Sequence, residues 1–197
     1  SGFIQRKKRT QIEEGDFTNE SEYLRHLIRQ DQERKSKLKE LKIAIIGQGY
    51  VGLTIAAFAS KTNQVIGFDN SQRVVDRLNQ GISHIEGVES SSIKAAFDSG
   101  NYRASTNGSD IADAEVVVIA VPTPLNKERK PDLTYIESAC KTIAENITRP
   151  ILVINESTSF PGTIRNFIKP LIENLSAKKI EHLYAISPER VDPGRTD

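Results

Sequence analysis

Methionine and tryptophan are absent, and cysteine occurs once, at Cys140, in 197 residues. A lone thiol excludes an internal disulfide and suits a reducing compartment, so a cytoplasmic protein is expected. Long apolar runs are missing too. The longest, VVVIAV at 116–121, has six residues, far short of the ~20 that a membrane-spanning helix needs. No basic-then-apolar leader pattern opens the chain. Neither sign of charge is in excess: 27 Lys and Arg face 26 Asp and Glu, a net charge of +1. That balance gives no bulk electrostatic case for nucleic acid or an anionic membrane as partner. His26, His84 and His182 are scattered, with no metal-ligand spacing, so no metal is expected. The first residue is not methionine and the chain stops abruptly after Asp197, which makes a piece of a longer protein the expectation.

What is present divides in two. Residues 1–40 hold ten basic and eight acidic residues, and they read as a helical extension to a main domain at 41–197. Within 18–40, Asn19 suits an N-cap and Glu22 completes a capping box. Tyr23, Leu24, Leu27 and Ile28 make an apolar stripe that Leu38 and Leu41 extend. An amphipathic helix of this kind packs on its own domain or on a partner. The stretch EEGDFTNESEYLRHLIRQDQER, in residues 12–40, resembles the helical part of ParD-like ribbon-helix-helix antitoxins. Their DNA-reading strand has no counterpart here, so no nucleic-acid partner is expected.

From Lys42 onward, short β-branched runs alternate with helical patterns. Strands are expected at 42–46, 64–69, 102–105, 114–120, 151–155 and 182–186, and helices at 50–60, 71–80, 91–99, 132–146 and 162–175. Residues 82–113 are the least regular of these. Continuous apolar strands separated by helices predict an α/β fold with a doubly wound parallel sheet of about six strands.

The first strand runs into IGQGYVGL, in which Gly47, Gly49 and Gly52 have dinucleotide-loop spacing between a strand and a helix. Gly47 allows the tight turn, Gly49 a close backbone approach to a pyrophosphate, and Gly52 close helix–strand packing. The candidate cofactor cradle is therefore Gly47, Gln48, Gly49, Tyr50, Val51 and Gly52. Asp69 lies twenty residues after Gly49, at the end of the second strand. An acid there accepts hydrogen bonds from a ribose and repels a 2′-phosphate, which favours NAD over NADP. Arg73, a helical turn further on, faces the same end. Beyond the other strands lie Val121-Pro122-Thr123, then Glu156 and Thr158 in NESTSFPGT, then Glu189 in SPER. Cys140 falls inside a helix, where a thiol behaves as a small buried hydrophobe.

GQGYVGL, the strand-end aspartate, VPTP, PDLTYIESA, INESTSFPGT and SPERVDPG occur together and in order. The set resembles the UDP-glucose/GDP-mannose (nucleotide-sugar) 6-dehydrogenase family over residues 41–197. GQGYVGLT, SHIEG and SPERVDPG look most like its bacterial UDP-N-acetylglucosamine and mannosamine members. Other Rossmann dehydrogenases, of the 3-hydroxyacyl or 6-phosphogluconate type, lack the VPTP and SPER turns. The resemblance implies a Rossmann-type domain that binds NAD. It also implies a UDP-sugar substrate oxidised from C6 alcohol to carboxylate by two hydride transfers, and a homodimer at full length, in polysaccharide biosynthesis. It assigns catalysis to Glu189 (acid–base or water positioning) and Thr158 (ordering the water), and sugar-nucleotide contacts to Arg190 and Val191. The family's nucleophilic cysteine belongs to a C-terminal domain and has no counterpart in these residues, so the chain is expected to be the cofactor-binding half alone. The alternative is a non-catalytic protein whose N-terminal helix binds a partner.

Overall fold

The computed structural model describes residues 21, 22, 25, 26, 29 and 40–187. The chain divides into two compact units, Ser1–Lys39 and Glu40–Asp197. In the first, Ser21, Glu22, Arg25, His26 and Arg29 are helical and exposed. The expected cap Asn19 and the stripe Tyr23, Leu24, Leu27 and Ile28 lie outside the described residues, as does most of the antitoxin-like stretch.

The second unit is built on six parallel strands: β1 Lys42–Ile46, β2 Gln64–Phe68, β3 Tyr102–Ser105, β4 Val116–Ile119, β5 Leu152–Asn155 and β6 Leu183–Ile186. Their order across the sheet is β3-β2-β1-β4-β5-β6. Ile45 pairs with Gly67 on one side and Val118 on the other, so β1 and β4 are the central strands. Side chains of a strand alternate between faces. Ala44, Ile46, Val117 and Ile119 enter one core with the helix α4 Thr134–Asn146, which contributes Ile136, Cys140 and Ile143. Ile45, Val118 and Ala120 enter the other core, with Leu53 and Ala56 of α1 Tyr50–Ala59 and Val75 and Leu78 of α2 Gln72–Asn79. Ile45, Leu53 and Ile119 have no exposed surface, and burying each is worth about 1.5–3 kcal/mol. This two-sided burial is why the strands read as unbroken apolar runs.

Helix starts and stops follow local chemistry. Ser71 caps α2 by accepting from the Val74 N–H, and α3 Ser90–Asp98 packs under β3. Asp132 Oδ1 accepts from the Thr134 N–H at 3.0 Å and its hydroxyl at 2.6 Å, closing the start of α4. Two features depart from the expected pattern. A 3-10 turn, Gly108–Ile111, precedes β4. The helix expected over 162–175 is instead a π-helical turn, Ile164–Ile168, followed by α5 Lys169–Leu175. Pro170 explains the break, because it has no N–H to donate into the preceding turn.

His182, just ahead of β6, is 4% exposed and its Nδ1 meets no partner. Burial holds this imidazole below its ordinary value, with Glu173 opposing. Burial lowers His84 as well. The folded chain therefore resists protonation that the unfolded chain accepts, so stability falls as pH drops through the ordinary imidazole value of 6.5. Thermal melts from pH 8 downward should show a falling midpoint on crossing that value, and His182→Phe should make the decline shallower. An unchanged slope in the variant would remove His182 from the account.

Candidate dinucleotide site at the strand ends

The sheet changes direction between β1 and β4, and the crevice outside their carboxyl ends is where an open α/β sheet holds a ligand. The residues just beyond β1 are shaped by what glycine lacks. Gly47 has φ +95°, and its N–H donates to the Phe68 carbonyl at 2.8 Å. A Cβ on Gly52 would lie 1.8 Å from the Gly47 carbonyl oxygen, so α1 can approach β1 this closely only with glycine there. A Cβ on Gly49 would meet nothing within 4 Å, so this residue faces open space. Gly49 is the N-cap of α1 and offers no side-chain cap, and no acidic residue occupies the first turn. The opening thus meets uncapped N–H groups at the positive end of a ten-residue helix. That donor set fits a pyrophosphate.

Asp69 follows β2 and is half-buried. Its Oδ2 accepts from the Gln48 N–H and its Oδ1 from the Ser71 N–H, both at 2.9 Å. The carboxylate therefore fixes both the glycine loop and the start of α2. Each oxygen keeps a lone pair, so the group can still accept from a ribose hydroxyl.

Gln48, expected in the cofactor cradle, turns its side chain inward. Gln48 has no exposed surface. Its Nε2 donates to the carbonyls of Ile45 (3.0 Å) and Gly47 (3.2 Å), and its Oε1 accepts from the Tyr102 hydroxyl at 2.9 Å. Its side chain supports the loop from beneath. Tyr50 is 42% exposed and Val51 half-buried at the start of α1. Arg73 is exposed on α2.

The loops after β4 and β5 are tied together. The Ile119 carbonyl accepts from the N–H groups of Glu156 (2.9 Å) and Ser157 (3.2 Å). Ser157, 7% exposed, accepts from the Val121 N–H at 2.9 Å and donates to the Ile119 carbonyl at 3.3 Å. Asn155 steadies the same turn through Nδ2, which donates to the Ser157 carbonyl at 2.9 Å and Ser159 Oγ at 3.2 Å. Val121 in turn abuts the glycine loop: its Cγ1 is 3.2 Å from where a Gly47 Cβ would stand. Pro122 and Thr158 are exposed, and Thr123 and Glu156 half-buried, at adjacent strand ends. Glu189, Arg190 and Val191 lie outside the described residues.

Two residues escaped the sequence reading. Ser157 joins the β4 and β5 loops, between the expected site residues Glu156 and Thr158. His84, in the irregular 81–88 loop, lies against the glycine loop. Burial lowers its pKa, while the Gln48 backbone and the Asp69 carboxylate act the other way. In the same loop, a Cβ on Gly87 would lie 3.9 Å from the Tyr50 ring. Among the described residues no cluster of His, Cys, Asp and Glu could hold a metal ion, and no helix is long and apolar enough to cross a membrane.

A strand, a glycine turn with an uncapped helix behind it, and an acid at the end of the next strand define a Rossmann-type dinucleotide-binding domain. The UDP-glucose/GDP-mannose dehydrogenase family, NAD binding domain, matches residues 41–196. The chain belongs to that family and carries its NAD-binding domain. It is 41% identical over 163 residues to the UDP-N-acetyl-D-mannosamine dehydrogenase of Escherichia coli K12, covering 78% of this chain and 38% of that protein. It is 35% identical to the UDP-N-acetyl-D-glucosamine 6-dehydrogenase of Pseudomonas aeruginosa, covering 80% of this chain and 37% of the relative. Among solved structures, the UDP-D-ManNAc dehydrogenase of Pyrococcus horikoshii superposes with a TM-score of 0.71 at 38% identity, over 79% of this chain and 38% of that one. A ternary complex of GDP-mannose dehydrogenase from Pseudomonas aeruginosa gives 0.70 at 34% identity, over 76% and 36%. The chain thus spans under two fifths of the length of these relatives.

Ser157→Ala would leave the Val121 N–H without its acceptor and cut the side-chain tie to β4. An unmet, partly buried N–H costs about 1–3 kcal/mol, so chemical denaturation should show a loss of that size. A loss below about 0.5 kcal/mol would mean that the two loops hold each other without it.

Proposed function

We propose that this chain is the cofactor-binding half of an NAD-dependent UDP-sugar 6-dehydrogenase acting on a UDP-N-acetylhexosamine. The family membership and the names of the relatives support the substrate class, and the open, uncapped start of α1 at Gly49 carries the cofactor reading. When bound, NAD supplies the hydride acceptor. The chain's own residues do the rest: the α1 N-terminus holds the pyrophosphate, Asp69 the adenosine ribose, and Val121, Pro122, Thr123 and Glu156 the nicotinamide side. Arg73 lies toward the adenine end. Glu189 does acid–base or water-positioning work at C6, Thr158 orders the water, and Arg190 and Val191 contact the sugar nucleotide. Converting a C6 alcohol and one water to a carboxylate takes two hydride transfers to two NAD and releases three protons, so a proton-handling carboxylate suits the site.

Cys140 has no part in this chemistry. It has no exposed surface, and burial pushes its thiol up to about 12, with Glu137 adding to the rise. It is therefore not a thiolate near neutral pH. The sugar-side groups come, in this reading, from a longer cytoplasmic protein that works as a homodimer, with residues 1–40 as an appended helix.

Titration calorimetry of these 197 residues should show NAD binding, and NADP binding more weakly. Asp69→Ala should weaken NAD and erase the preference. No affinity at millimolar NAD in a folded chain would sink the cofactor assignment. The chain should produce no NADH from UDP-N-acetylmannosamine; turnover would show that it carries the complete site.

A further inference from the structure

We propose that Tyr102, on the outermost strand β3, is a positioning residue for the cofactor loop and acts through Gln48. This inference rests on NAD binding at the glycine loop, as read above. The Tyr102 hydroxyl, 2% exposed as a residue, donates to Gln48 Oε1 at 2.9 Å. With that oxygen held, the amide's other end points its Nε2 at the carbonyls of Ile45 and Gly47. The Gly47 carbonyl is the atom on which Gly52 of α1 closes, so the amide grips the loop where strand and helix meet. On its other side the Gln48 N–H is held by Asp69. One residue thus carries the grip from the edge of the sheet and the grip from the ribose-side acid.

The path exists because β2 gives way between them. A Cβ on Gly67 would stand 2.5 Å from Gln48 Oε1 and 2.7 Å from the Tyr102 hydroxyl. Gly67 pairs with Ile45 in β1 and Ala104 in β3, so the glycine is the gap through which Tyr102 reaches across β2. The hydroxyl remains a donor throughout the physiological range, because burial pushes its pKa well up and the Asp69 carboxylate pushes it further. No surface contact substitutes for it, since Gln48 has no exposed area.

Tyr102→Phe removes the donor and leaves the ring. Gln48 then holds a buried acceptor without a partner, its amide is free to turn, and the grip on the Gly47 carbonyl loosens. The dissociation constant for NAD should rise about ten-fold, the effect of one misplaced buried hydrogen bond, when measured by calorimetry well below the melting temperature. Gln48→Leu should do the same. The double variant should be no worse than either single one, as expected of two members of one path. A residue that only stabilises the fold would lower the melting temperature and leave NAD affinity unchanged in the folded chain. NAD affinity within two-fold of the parent in folded Tyr102→Phe overturns the proposal. If neither variant folds, amide exchange in the unaltered chain decides: NAD should slow exchange in Tyr102–Ser105, and an unchanged rate there overturns it. A parent chain that does not bind NAD fails the cofactor reading itself, whereas a binding parent with an equally tight variant fails only the positioning of Tyr102.

Discussion

The closure of α1 on the Gly47 carbonyl sets the geometry on which the rest of the site depends. With no Cβ at Gly52, helix and strand meet at a distance no other residue allows. That contact aims the first turn of α1 at the crevice and turns the chain at Gly47 into a conformation that favours glycine. It also brings Gly47 against Ala120, so the loop after β4 forms the facing wall. The aim of the helix N-terminus and its close approach to the β1 turn depend on one missing methyl group.

Around that contact, polar groups are spent on holding loops rather than on reaching solvent. Asp69 takes two backbone N–H groups, Ser157 takes one and gives one, and the Ile119 carbonyl collects three donors. Loops at strand ends have little apolar surface to bury, so directed hydrogen bonds must fix them. Glu156, Thr123 and Thr158 lie where these ties leave them, at neighbouring strand ends with side chains reaching solvent. The ties are stability devices, and the residues they present are free for chemistry.

The sheet was legible because two-sided burial writes itself as β-branched runs, and VVVIAV could hardly be anything but a central strand. The glycine loop was legible for the same local reason: its spacing, the strand before it and the helix after it are contiguous. What the sequence did not make legible is non-local. The inward turn of Gln48 depends on a tyrosine fifty-four residues away and on a glycine in the strand between them. Nothing in IGQGYVGL distinguishes a side chain facing a ligand from one facing β3. His84 sits in a segment without periodicity, so nothing local in the sequence couples it to the charge of Asp69. The break between the π-helical turn and α5 could have been read from Pro170, but helical periodicity on both sides masked it.

The Gln48–Tyr102 pair also separates two uses of a buried polar group. A glutamine amide and a phenol hydroxyl, both taken from water, gain little net stability from bonding each other. Replacing both partners of such a pair by apolar groups of the same shape is close to neutral, whereas removing one is costly. A leucine against a phenylalanine would fill this space about as well. What an apolar pair cannot do is choose a direction. The amide has two ends, and with Oε1 committed to Tyr102 its Nε2 can meet only the Ile45 and Gly47 carbonyls. The cost of desolvating it therefore goes into orientation rather than stability. Orientation matters most at the turn whose carbonyl α1 packs on and whose next N–H is held by Asp69.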